Sequence, residues 1–103
     1  MRLGIVVTDH QYREQVTGLI GSARARAWDV ECFLTDTGVM LLADSDFMTH
    51  ARAVPDSVAV CEHSIEIHAR HSLVGIEFAD VVVVGGQYQD AELVRRCDRI
   101  LVF

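Results

Sequence analysis

The sequence predicts an α/β domain of three layers, with a five-stranded parallel sheet held between helices. Three observations carry this. Short, almost wholly apolar runs recur at residues 3–7, 30–34, 58–61, 81–84 and 100–103. Strands covered on both faces read this way, without the alternation of a half-exposed sheet. Segments with apolar residues at helical spacing stand between most of the runs, and that alternation indicates parallel βαβ units. Most runs then end in Thr, Asp, Ser or Gly, the residues that turn a chain and cap a helix.

Taken in order, LGIVV (3–7) is a buried strand ended by Thr8-Asp9-His10. A helix over 11–27 follows, with Val16, Leu19, Ile20 and Ala23 along one stripe. VECFL (30–34) is the second strand, ended by Thr35-Asp36-Thr37-Gly38. The next helix carries Val39, Leu41, Leu42 and Ala43. It breaks at Asp44-Ser45-Asp46 and resumes to about Ala53. Pro55-Asp56 turns the chain into the third strand, which ends at Cys61. A helical turn or two over 64–70 leads to 71–79, read as loop or as a short edge strand over 73–78. Residues 81–84 are the clearest buried strand. Gly85-Gly86 opens a helix over 87–97, and 100–103 closes the sheet. Right-handed crossovers place helices on both faces. No repeat, linker or low-complexity tract interrupts residues 1–103, which form one domain.

Half the residues are hydrophobic and the net charge is −6, with no lysine. That apolar share is high for so short a soluble domain and suits a protomer that buries more surface in a homo-oligomer. Nucleic acid is excluded as a partner, because the arginines form no clustered basic face. No apolar run is long enough for a membrane span, and residues 1–8 do not read as a signal peptide. The expected location is the cytoplasm. Three cysteines, 32, 61 and 97, form no C-x-x-C pair, and an odd count argues against a disulfide framework.

The chemistry gathers on one edge. In a parallel sheet every strand-to-helix loop leaves from the carboxyl ends of the strands, where such folds bind ligands. Those loops read TDHQY, TDTG, CEHS and GGQYQ, and all can donate, accept or titrate. Cys61 stands at the third exit, within SVAVCEHSIEIH (57–68). A thiol reacts as thiolate and needs a cation or a helix N-terminus beside it. His63 and the helix that follows offer both. Asp9 and Asp36 could face each other across the rim, but each also stands where an N-cap belongs, and capping is the preferred reading. Gly85-Gly86 allows a tight turn and aims N–H groups at an anion, with Gln87 and Tyr88 beside it. It matches no nucleotide-binding fingerprint. His63, His68, His71 and Glu66 have no zinc-site spacing, so neither metal nor cofactor is expected. Cys32 within a strand and Cys97 at a helix end read as structural.

FLTDTGVMLLAD (33–44), VCEHS (60–64), GGQYQDAELV (85–94) and CDRILVF (97–103) together resemble the DsrE/DsrF/DsrH-like family, in particular its short single-domain members. The resemblance runs from the first strand to the last. It implies a five-stranded parallel sheet between helices. It also implies a subunit of a sulfur-relay complex that carries sulfane sulfur as a persulfide on one cysteine. Such a subunit is a carrier between donor and acceptor proteins rather than a turnover enzyme, and it works within an oligomer. By position, the carrier is Cys61, with His63 stabilising its thiolate. Asp9, Asp36, Gly85, Gly86, Gln87 and Tyr88 would line the site. The surround VCEHS is poorer in glycine than that of the family's established carriers, and some family subunits lack an active cysteine. The alternative is therefore an assembly or ligand-binding subunit with an inert Cys61.

Overall fold

The computed structural model describes residues 1–103. Its strands are β1 (Arg2–Val7), β2 (Asp29–Leu34), β3 (Val58–Cys61), β4 (Val82–Gly85) and β5 (Arg99–Val102). They form one sheet in the order β4-β3-β2-β1-β5, and every pairing is parallel. The α/β class and the five-stranded sheet expected from the sequence are both present.

The helices are α1 (Arg13–Ala25), α2 (Ser45–Ala53), α3 (Glu62–Ser64) and α4 (Gln87–Arg96). A 3-10 turn, His10–Tyr12, precedes α1, and a longer 3-10 segment, Asp36–Ala43, precedes α2. Local chemistry sets the ends. The Asp9 carboxylate accepts from the Gln11 N–H at 3.0 Å, and Asp44 accepts from the Phe47 N–H at 2.9 Å, as N-caps do. Beyond α1, Ala27 takes a left-handed φ of 61°. The Trp28 and Ala27 N–H groups then return to the carbonyls of Ala23 and Arg24, the closure known as a Schellman motif.

Strand order decides which face each helix covers. The chain steps from β1 to β4 in one direction, so right-handed crossovers stack α1, α2 and α3 on the same face. The return from β4 to β5 spans the whole sheet and carries α4 across the other. Ile5, Val7, Leu34, Val58 and Val60 meet Val16, Ile20, Phe47 and Met48 in the main core of twenty buried residues. On the α4 face only Val6, Phe33, Cys61 and Leu93 form a buried cluster.

Two expectations are corrected, and one open alternative is settled. Asp36 does not cap: it sits at a left-handed φ of 51°, and Thr35 holds the capping position without a side-chain bond. Asp tolerates that conformation better than most residues, so a TDTG turn can form where a cap was read. The helix after Cys61 starts at Glu62 and widens into a π-helical stretch, Ile65–Ala69. Of the two alternatives for 71–79 the loop is present, with turns at 71–75 and 79 and no regular structure at 76–78. Leu73, Ile76 and Phe78 pack on the main core from that loop, so their apolar spacing reflects packing rather than sheet pairing.

Candidate functional site

At the carboxyl edge of the sheet, β3 and β4 lie side by side, with Cys61 paired in register to Gly85. The chain leaves β3 towards one face of the sheet and leaves β4 towards the other. Loops that part in this way open a crevice, the switch point at which open α/β sheets bind their ligands. A shallow depression of about 470 Å³ occupies it, lined by Cys61, Glu62, His63, Glu66, Gly85, Gly86 and Gln87.

Cys61 is the last residue of β3 and the N-cap of α3, so His63 and Ser64 stand at the second and third helical positions. A capping side chain accepts from the N–H groups of those two positions. The Cys61 side chain makes no such hydrogen bond, although both N–H groups stand at the helix start that follows it. Removal from water is the largest single influence on the thiol and opposes ionisation, since Cys61 is only 8 % exposed. The Ser64 hydroxyl, the Ser64 and His63 main-chain N–H groups and the Thr35 hydroxyl outweigh it together. They hold the Cys61 thiol below its ordinary value. His63 enters this set through its backbone, while its side chain lines the depression.

The other two thiols are held in the opposite direction. Burial pushes Cys32 up to about 12. Cys97 is pushed up to about 11 by burial and by the Glu31 carboxylate, whose Oε2 lies 3.5 Å from its sulfur. One chain thus holds three thiols in three environments, and only one of them favours the thiolate.

Of the residues singled out in the sequence, the fold brings Cys61, His63, Gly85, Gly86 and Gln87 together. The Gly86 N–H donates to Gln89 Oε1 at 2.7 Å, so this donor caps α4 rather than facing the depression. A Cβ at Gly85 would collide with the same Gln89 side chain, so glycine there lets the cap fold back. Tyr88, 72 % exposed, lies along a separate cavity of about 240 Å³ beneath α4, with Glu31, Cys32, Glu92 and Arg96. That cavity is more enclosed than the depression at Cys61, but the Cys32 thiol is buried in the main core on the other face of the sheet. The depression is therefore the better candidate for thiol chemistry. Asp9 remains at the α1 end of the rim, engaged with Gln11.

Three contributors were not singled out as site residues. Ser64 Oγ accepts from the Asp36 N–H at 2.9 Å and lies 3.3 Å from Thr35 Oγ1. His68 Nε2 lies 2.9 Å from Asp36 Oδ1. These contacts tie the β2 exit to the β3 exit. Ser64, three residues after Cys61, has the spacing of a residue that closes back on its cap, and that spacing was the available signal.

No protein-family model and no curated protein matches this chain. Among solved structures, the crystal structure of the YchN protein from E. coli is similar over 100% of both chains, with a TM-score of 0.66 and 13% sequence identity. YchN has the DsrE/DsrF-like fold, and at this identity the likeness establishes a shared fold.

Proposed function

We propose that this chain is a sulfur-relay protein that carries sulfane sulfur on Cys61. The observation that carries the reading is the position of Cys61 at the crevice between β3 and β4. There it is the one thiol of three whose surroundings favour the anion. The DsrE/DsrF-like fold of the structural neighbour is consistent with it.

The step is an exchange at sulfur. The Cys61 thiolate attacks the terminal sulfur of a donor persulfide, and a new S–S bond forms as the donor's own S–S bond breaks. The electron pair of the broken bond leaves on the donor sulfur as a thiolate. The attacked sulfur arrives with its proton, so Cys61 becomes a persulfide and no external oxidant is consumed. Reversal of the same step onto an acceptor thiolate passes the sulfur on. The depression is open and shallow, which suits another protein's cysteine arriving from solvent. The chain would act in the cytoplasm as a homo-oligomer, and Val84, Leu101 and Val102 are exposed on its edge strands for such contacts.

One observation favours the second reading, an assembly or ligand-binding subunit with an inert cysteine: Cys61 is mostly shielded from solvent. Intact mass after incubation with a protein persulfide donor separates the two. The carrier reading expects one added sulfur atom that a reductant removes, and none in Cys61→Ser. Persistent labelling of that variant would move the carrier elsewhere, and absence of labelling in both proteins would favour the inert subunit.

A further inference from the structure

The depression at Cys61 carries two carboxylates that nothing in the chain neutralises. Glu62, His63 and Glu66 are its titratable side chains beside the thiol, while Gly85, Gly86 and Gln87 add no charge. Both carboxylates are exposed, and neither enters an ion pair. On the α4 face the opposite holds, since Arg96 takes up both Glu31 and Glu92. Glu66 has a cation at helical spacing in Arg70, and in an α-helix such a pair meets. Residues 65–69 are π-helical instead, with bonds closing five residues apart, and Arg70 makes no ion pair.

Glu62 has a local reason for its place, because an acidic side chain suits the first turn of a helix. Glu66 has none, and a like charge four residues from Glu62 works against the segment's own stability. The N-terminus of α4 opposes their field with about half an elementary charge, which two full negative charges outweigh. No aliphatic or aromatic side chain lines the depression, so it lacks the apolar walls that hold small molecules. Charge, which acts before contact, is the means of selection left to it.

We propose that Glu62 and Glu66 make this site selective for protein donors and acceptors whose reacting cysteine is flanked by arginine or lysine side chains. This rests on Cys61 being the carrier thiol. Small anionic sulfur compounds are repelled by the same two groups. The net charge of −6 and the absence of lysine act in the same direction at longer range.

The test uses the native protein and two peptides, Gly-Arg-Cys-Arg-Gly and Gly-Glu-Cys-Glu-Gly, each activated as a mixed disulfide with 2-thiopyridine. The Cys61 thiolate attacks the peptide sulfur, a new S–S bond forms, and pyridine-2-thiolate leaves with the electron pair of the old one. Its release gives the rate, and peptide mass spectrometry assigns the site. The ratio of the two rates on one protein cancels the thiolate fraction and reports charge alone. At low ionic strength this ratio should favour the arginine peptide about tenfold more than it does for 2-mercaptoethanol, a neutral thiol. Added salt should erode the preference. Glu66→Gln should cut it by about threefold, and the double change with Glu62→Gln should bring it near the reference. Both side chains are exposed, so neither substitution leaves a hole in the core. A fast Cys61 that takes the glutamate peptide equally well, or whose preference ignores both substitutions, overturns this inference alone. A Cys61 that reacts with neither peptide faster than Cys32 defeats the carrier reading itself.

Discussion

The two faces of the sheet are built unequally. One carries α1, α2 and α3 over twenty buried residues, while the other carries α4 alone over four. A single helix crossing from β4 to β5 cannot cover five strands. The α4 face is finished instead by polar contacts, chiefly Arg96, whose Nε and Nη2 both reach Glu31. Cys61 belongs to this thinner face. Stability is concentrated on one side of the sheet, while the Cys61 side chain faces the other.

The largest expected difference between the faces is in core truncation. Phe47→Ala, at a fully buried position of the main core, should destabilise by about 3–5 kcal/mol. Leu93→Ala removes the anchor of α4 and should fall near the low end of the range for leucine, about 2 kcal/mol, because its neighbourhood can collapse. Equal losses in chemical denaturation would show that the thin face supports as much of the fold as the thick one.

A second contrast uses glycine. A Cβ at Gly38 would overlap the Val7 carbonyl, a backbone atom that cannot step aside. A Cβ at Gly4 would meet the ends of the Ile100 and Leu93 side chains, which can rotate. Gly38→Ala should therefore cost about 1–3 kcal/mol or more, the range for overpacking, and Gly4→Ala less. The reverse order in thermal melts would refute the picture of a rigid face and an adaptable one.

The smallest effect concerns acid. Glu31 is partly removed from water, which favours its neutral form, but hydrogen bonds from Arg96 outweigh this and hold the carboxyl below its ordinary value of 4.5. The stability this gives is present in full above that ordinary value and is lost as pH falls through the depressed one. Glu31→Gln should flatten this part of the acid limb and lower stability at neutral pH by about 1 kcal/mol, as befits a half-exposed pair. An unchanged acid limb would mean that the Glu31–Arg96 contact contributes nothing.

Much of this was legible from residue types alone. The apolar runs of β1, β2 and β3 could only be covered strands, and Cys61 had to emerge at the exit edge. The unequal faces were not legible, because they follow from the strand order, and no local pattern states where β5 inserts. The clasp around Ser64 was hidden for a related reason. Its contacts join residues nearly thirty positions apart, and long-range side-chain contacts leave no periodicity in either partner. Asp36 shows a local rule losing to such contacts. Its neighbours spell a cap, but the left-handed turn lets it reach both Ser64 and His68. In 71–79, spacing that suits an edge strand was produced by a loop packing on the core.

The central claim is that reactivity resides in the thiol at the crevice. It is tested most directly by the alkylation rates of Cys32, Cys61 and Cys97 in the native protein at neutral pH, followed site by site and repeated after unfolding. Cys61 should react fastest, Cys97 slowly and Cys32 slowest, in keeping with a thiolate favoured in the first and thiols pushed up to about 11 and about 12 in the others. Unfolding should bring the three rates together. A native Cys61 that reacts no faster than Cys32 would contradict the claim.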